Sequence, residues 1–101
     1  SGEIQIGGIR LNESTHRVFV DGNEVELTNK EYELLLFFML NVDVVFSREQ
    51  LYERIWGWDA MGDSATVAVH INRLRKKIEQ DPANPRYIVS VWGAGYRFNL
   101  S

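Results

Sequence analysis

The 101 residues contain no cysteine, which excludes a disulfide framework and a thiolate metal site, and they suffice for one domain with a single modest core. The longest unbroken apolar run, Leu34 to Leu40, is far short of the ~20 residues that span a bilayer. A net charge of −3 argues at first sight against a nucleic-acid binder, but residues 1–63 hold 12 acids and 5 bases whereas residues 64–101 hold 2 acids and 6 bases, so a cationic surface is concentrated in the last third.

Ser1-Gly2 reads as a cloning remnant, and the start does not read as a signal peptide, so the domain is expected over residues 3–101, in the cytoplasm. Residues 3–27 read as four short antiparallel strands. Ile4 and Ile6 alternate, Gly7-Gly8 breaks the pattern, and Ile9 and Leu11 alternate again. Arg17 to Val20 then runs into the hairpin turn Asp21-Gly22-Asn23, and Val25 and Leu27 return.

Leu27-Thr28-Asn29-Lys30-Glu31-Tyr32 is a helix start, with Thr28 as N-cap, Glu31 as its capping-box partner, and Leu27 and Tyr32 at the staple positions. This helix runs to about Asn41 and is apolar nearly all round, so it belongs at the centre of the core. Val44-Val45 suggests a short strand. Phe46-Ser47-Arg48-Glu49-Gln50-Leu51 repeats the capping signature and opens a second helix that buries Leu51, Ile55 and Trp56 and ends at Gly57.

A third helix is expected over residues 64–80, capped by Asp63 or Ser64 and stopped by Asp81-Pro82 and Asn84-Pro85. At roughly 100° per residue, Val67, Ile71, Leu74 and Ile78 fall on one buried line. Val69, Arg73 and Lys76 fall on the opposite line, with Thr66 and Asn72 at its edges. His70 and Lys77 lie on one flank, Ala68 and Arg75 on the other. Such a face is either an ordinary solvated basic surface or a surface for the major groove, which takes small and polar groups at the base edges and cations beside the phosphates. Two helices joined by a glycine-containing loop, the second basic outside, follow helix-turn-helix logic with an enlarged turn. Residues 87–100 alternate about Gly93-Ala94-Gly95 and predict a hairpin, a wing beside the third helix. The fold class expected is α+β: a winged helix-turn-helix with an N-terminal four-stranded antiparallel sheet, three helices and a C-terminal β-hairpin wing.

Other functions are poorly supplied. The two histidines, His16 and His70, have no metal-ligand spacing, and no nucleophile elbow or phosphate loop is present, so neither catalysis, a metal nor a cofactor is expected. A protein-binding module built on Trp58 and Trp92 is the competing reading; it would be nearly insensitive to salt. RNA binding lacks an aromatic platform for stacking bases.

The stretches L-T-N-K-E-Y-E-L-L-L (27–36), F-S-R-E-Q-L-Y-E-R-I-W-G (46–57), V-A-V-H-I-N-R-L-R-K-K-I-E (67–79) and I-V-S-V-W-G-A-G-Y-R-F (88–98), in this order, make the chain resemble the OmpR/PhoB family of winged-helix effector domains of bacterial two-component response regulators. The resemblance implies sequence-specific binding of double-stranded DNA and control of transcription, with the third helix in the major groove and the wing near the adjacent minor groove. It implies base contacts from Thr66, Val69 and Arg73, and phosphate contacts from His70, Asn72, Arg75 and Ser90, with Lys76 and Lys77 adding phosphate charge. The loop 57–63, with Trp58, Asp59 and Met61, corresponds to the family's contact with RNA polymerase, although Trp58 could equally cap the core. The resemblance further implies direct-repeat sites, a head-to-tail dimer on DNA and a monomeric isolated domain. A receiver domain and a sensor histidine kinase would act on the full-length protein, although the same domain also occurs without a receiver.

Three positions depart from the family pattern. Ala65 stands where Arg is frequent, and Ala68 where Asp is frequent, so no carboxylate there can accept from cytosine. In the wing, Trp92, followed by Gly93 and Gly95, replaces the minor-groove Arg. The preferred expectation is that Trp92 packs into the core, the alternative that it meets the sugars. Arg97 could then serve as the wing's cation or form a structural salt bridge.

Overall fold

A computed structural model describes residues 2–57 and 60–100. The chain opens with β1 (Glu3–Ile6), β2 (Ile9–Asn12), β3 (Arg17–Val20) and β4 (Asn23–Val25), an antiparallel meander in sequence order. Ile9, Leu11 and Val18 point into the core, while Arg10 and Arg17 cover the outward ring of Phe19 at 4.9 and 5.6 Å. The turn between β3 and β4 has positive φ at both central residues, Asp21 at 50° and Gly22 at 84°, as the right-handed twist of a two-residue hairpin demands.

Three helices follow: α1 (Asn29–Leu40), α2 (Arg48–Trp56) and α3 (Ala65–Ile78). Both expected capping boxes form. Thr28 N donates to Glu31 Oε1 at 2.9 Å and Ser47 N to Gln50 Oε1 at 2.7 Å, and the cap oxygens accept in return. Helix α1 buries Leu34, Leu35, Phe38 and Met39, as its apolar circumference requires. Helix α2 buries only Leu51 fully. Contrary to expectation, Ile55 and Trp56 are half-buried, because Trp56 lies at the helix end, flat against Tyr52 at 5.6 Å and edge-on to His70 at 4.9 Å.

The short strand β5 is Val45–Phe46, one residue later than expected, and it pairs with the wing. The wing is therefore three-stranded, ordered β5–β7–β6, with β6 at Ile88–Val91 and β7 at Gly95–Phe98. Val91 opposite Gly95 is the last pair, so the tip is Trp92-Gly93-Ala94 rather than Gly93-Ala94-Gly95. Gly95 has φ 138°, and a Cβ there would overlap the Phe46 carbonyl, which explains why a glycine opens β7. The Tyr87 hydroxyl accepts from Gly8 N at 2.9 Å and ties the wing to the first sheet. Among the described residues, no helix is long and apolar enough to cross a membrane.

Two buried carboxylates set the ends of α3 and α1. Helix α3 stops at Ile78, before the prolines, because Glu79 turns extended and its carboxylate accepts from the backbone N–H groups of Arg86, Tyr87 and Ile88 at 2.7–3.1 Å. Glu31, 1% exposed, receives the Lys77 ammonium as well as Thr28 N. Burial alone would raise its pKa, but these hydrogen bonds and the Lys77 charge outweigh burial and hold it below the ordinary 4.5.

Glu79→Ala would strand three inward N–H groups, so it should cost about 3 kcal/mol in urea unfolding, with Glu79→Gln intermediate. The Glu31 contribution is fully present above pH 4.5 and is lost as pH falls through the lower folded value. Lys77→Met removes the lowering effect of the ammonium while burial and the Thr28 hydrogen bonds remain, so the Glu31 pKa should rise and this acid-linked loss of stability should shrink; urea midpoints across about pH 3–7 would measure it.

Candidate nucleic-acid interface

Val67, Ile71, Leu74 and Ile78 are buried as one stripe of α3, and this fixes which side of the helix looks outward. The exposed side carries Val69 (46% exposed), Asn72, Arg73 and Lys76. Among the described residues, neither Arg73 nor Lys76 enters an ion pair. The N-terminal turn carries short side chains at Ala65, Thr66 and Ala68. Its cap is Asp63, whose Oδ1 accepts from Ala65 N at 2.7 Å, while Ser64 is helical and makes no cap bond. The Ser64 hydroxyl donates instead to Glu49 at 3.2 Å, linking the starts of α2 and α3.

The flanks are more constrained than a helical wheel suggests. His70 Nδ1 lies 2.9 Å from the Thr66 carbonyl oxygen. A carbonyl only accepts, so Nδ1 carries the proton; in the neutral ring Nε2 is then an acceptor, and only the imidazolium can offer Nε2–H to a phosphate. Arg75 is half-buried: Nε donates to the Ile88 carbonyl at 2.9 Å, Nη2 donates to Ser90 Oγ at 3.0 Å, and the guanidinium stands 5.6 Å from the Tyr96 ring centre. Arg75 and Ser90 thus join α3 to β6, on the edge of the outward face.

Lys77 departs from the sequence expectation. Its ammonium is 2.6 Å from Glu31 Oε1, at the start of α1, so it is occupied by the fold rather than available to phosphates. Trp92 also departs from the preferred expectation, being 98% exposed at the wing tip instead of packed in the core. Among the described residues Arg97 forms no salt bridge; it is half-buried in β7 and Nε donates to Asn99 Oδ1 at 2.8 Å. In the 57–63 loop, Met61 is 99% exposed, and Trp58 and Asp59 lie outside the described residues.

The structure adds a feature missed in sequence. An open groove of about 500 Å³ separates Ser47, Arg48 and Glu49, at the start of α2, from Trp92 to Tyr96 in the wing. Arg48 is exposed there, with Nη2 3.8 Å from Glu49. Its signal was its place, the first residue after the N-cap of the helix preceding α3, but strand–groove juxtaposition is not visible in a linear motif.

A helix with one buried stripe, a cationic outer side and a hairpin fastened along its flank defines a winged helix-turn-helix of the nucleic-acid-binding class. Residues 22–98 match the family described as "Transcriptional regulatory protein, C terminal", and the chain belongs to that family, the OmpR/PhoB-type DNA-binding effector domains of response regulators. The sensory transduction protein RegX3 of Mycobacterium tuberculosis is 45% identical over 96 residues, 95% of this chain and 42% of RegX3. The chain thus spans about two fifths of that relative's length. The response regulator DrrB of Thermotoga maritima, an OmpR/PhoB homologue, superposes with a TM-score of 0.89 at 37% identity, over 98% of this chain and 45% of DrrB. The DNA-binding domain of Klebsiella pneumoniae RstA, solved in complex with the RstA box, superposes with a TM-score of 0.88 at 25% identity over the whole of both chains.

Arg75→Lys keeps the charge but cannot reproduce the fork to Ile88 and Ser90. It should cost about 1 kcal/mol and speed amide hydrogen exchange in β6 and β7, with little change in the helical amides of α1.

Proposed function

We propose that the domain, residues 3–101, binds double-stranded DNA with α3 in the major groove and the wing beside the adjacent minor groove, and so directs transcription at specific sites. One observation carries this: Arg73 and Lys76 project from the outer side of α3, clear of ion pairs among the described residues, opposite a fully buried stripe. A protein surface that merely needed solubility would intersperse both signs of charge, whereas the exposed residues of this face include no acid. The Klebsiella domain of the same fold, solved with its DNA box, supports the reading.

In this arrangement Thr66 and Val69 offer a hydroxyl and an apolar surface to base edges, and Arg73 can bond guanine O6 and N7 together. Lys76, Asn72, protonated His70 and the free edge of Arg75 with Ser90 approach phosphates, and Arg48 reaches the same strand from across the groove. Lys77 contributes long-range field only. Ala68 leaves no acceptor for cytosine. Met61, exposed in the loop before α3, would meet RNA polymerase, with Trp58 and Asp59 beside it in sequence. As the effector part of a longer cytoplasmic regulator, the domain would answer to a receiver domain and sensor kinase, and pair head to tail on direct repeats while remaining monomeric free in solution.

Fluorescence anisotropy with duplex DNA should give a log–log salt slope of roughly −4 to −5, as expected for four to six neutralised phosphates. Arg73→Ala should cost about 1–3 kcal/mol on the selected site and relax one base position, whereas Lys76→Ala should weaken all sequences alike and flatten the slope by about one. Indistinguishable sequence profiles for the two variants would remove Arg73 from base readout. Binding that ignores salt would favour a protein partner instead.

A further inference from the structure

We propose that Trp92 is a minor-groove wedge: the wing reads DNA through an uncharged indole that seeks a deformable base step, not through a cation that seeks a narrow groove. The inference rests on the proposed docking of α3 and deepens it by assigning specificity at the wing.

Arg75 fastens β6 to the flank of α3, and β6 and β7 stay paired only as far as Val91 and Gly95, so Trp92 to Ala94 project past the last ladder bond. A helix fills a major groove about 12 Å wide. An element fastened along its flank crosses the bounding phosphate strand, and the next opening beyond that strand is the minor groove. The open groove between Arg48 and the wing leaves room for the strand to pass between them.

Trp92 is 98% exposed, the largest apolar side chain among the described residues to be left in water. Its tip neighbours, Gly93 and Ala94, bring neither charge nor bulk, and Gly93 holds φ 74° with nothing within 4 Å of the Cβ it lacks. The nearest wing cation, Arg97, is half-buried in β7 and bonded to Asn99. A narrow A-tract groove attracts guanidinium through its concentrated negative potential, and an indole gains nothing from that potential. Apolar wedges gain where a step can unstack and the groove can widen, and pyrimidine–purine steps do this most readily. The wing should therefore favour a TA or CA step and disfavour an A-tract.

The test uses a short duplex with a single selected half-site, so that no second copy can bind beside the first. Hydroxyl-radical protection locates the wing, and only the base pairs beneath it are varied between a TA step and an A-tract. Wild type should prefer the TA duplex by roughly fivefold and brighten 2-aminopurine placed at that step. Trp92→Ala should lose about tenfold on the TA duplex, lose the preference and the brightening, and keep the salt slope. Trp92→Arg should recover binding, steepen the slope by about one and prefer the A-tract. Trp92 is fully exposed, so these variants should unfold in urea as wild type does. Equal binding of wild type and Trp92→Ala to both duplexes, with a steep salt slope retained, would overturn this inference alone. A loss seen only on duplexes with two half-sites would overturn it in favour of contact between copies. Failure of wild type to bind any duplex would sink the proposed function and this inference together.

Discussion

The line Val67, Ile71, Leu74 and Ile78 constrains everything on the opposite side of α3. A helix turns about 100° per residue, so a slip of one position would carry Arg73 a quarter of the way round and bring a polar side chain into the core. Complete burial of four branched side chains makes such a slip costly, since each would surrender roughly 1.5–3 kcal/mol of apolar burial. The orientation of the outward cations is thus decided by residues that never approach a ligand. Helix α1, apolar on nearly every side, supplies the surface on which the stripe rests.

Two carboxylates then convert the orientation of one helix into the positions of its neighbours. Glu31 starts α1 by accepting from Thr28 and receives Lys77 from the last turn of α3, so one side chain couples a helix beginning to a helix end. Glu79 gathers three successive backbone N–H groups and fixes where β6 begins relative to α3. Charged acceptors suit these places because each meets several donors at once; a neutral side chain would leave at least one inward N–H unmatched.

Local signals in the sequence had long reach here. The two capping boxes and the buried line of α3 lay in the chain as short patterns and formed as read, and the Asp21-Gly22-Asn23 turn formed with Asn23 already in β4, because caps, hairpin turns and 3.6-residue periodicity are settled by neighbours within a few positions. The family resemblance likewise pointed to the fold that the structure displays. What stayed hidden depends on partners far away in the chain. Lys77 resembled Lys76 until Glu31, 46 positions away, claimed it. Glu79 resembled any surface acid until the segment after the prolines folded back to it. Trp92 was expected to join the core, but where the hairpin pairing ends depends on the register of β6 against β7, and a tip lying past the last paired residues has no core within reach. The early stop of α3 has the same origin, a tertiary use of the Glu79 side chain that no propensity records.

In the order β5–β7–β6, one side of β6 has no strand beside it. Tyr87 O accepts from Asn99 N, so residues of that parity turn toward β7, and the alternate residue Ile88 turns its N–H and C=O away from it. Those two groups are the ones taken by Glu79 and Arg75. An open strand edge is a template on which another chain can add a strand and begin to aggregate. The two α3-end side chains therefore act as a stopper on that edge at Ile88, and the wing can remain solvent-facing without inviting fibre-like association.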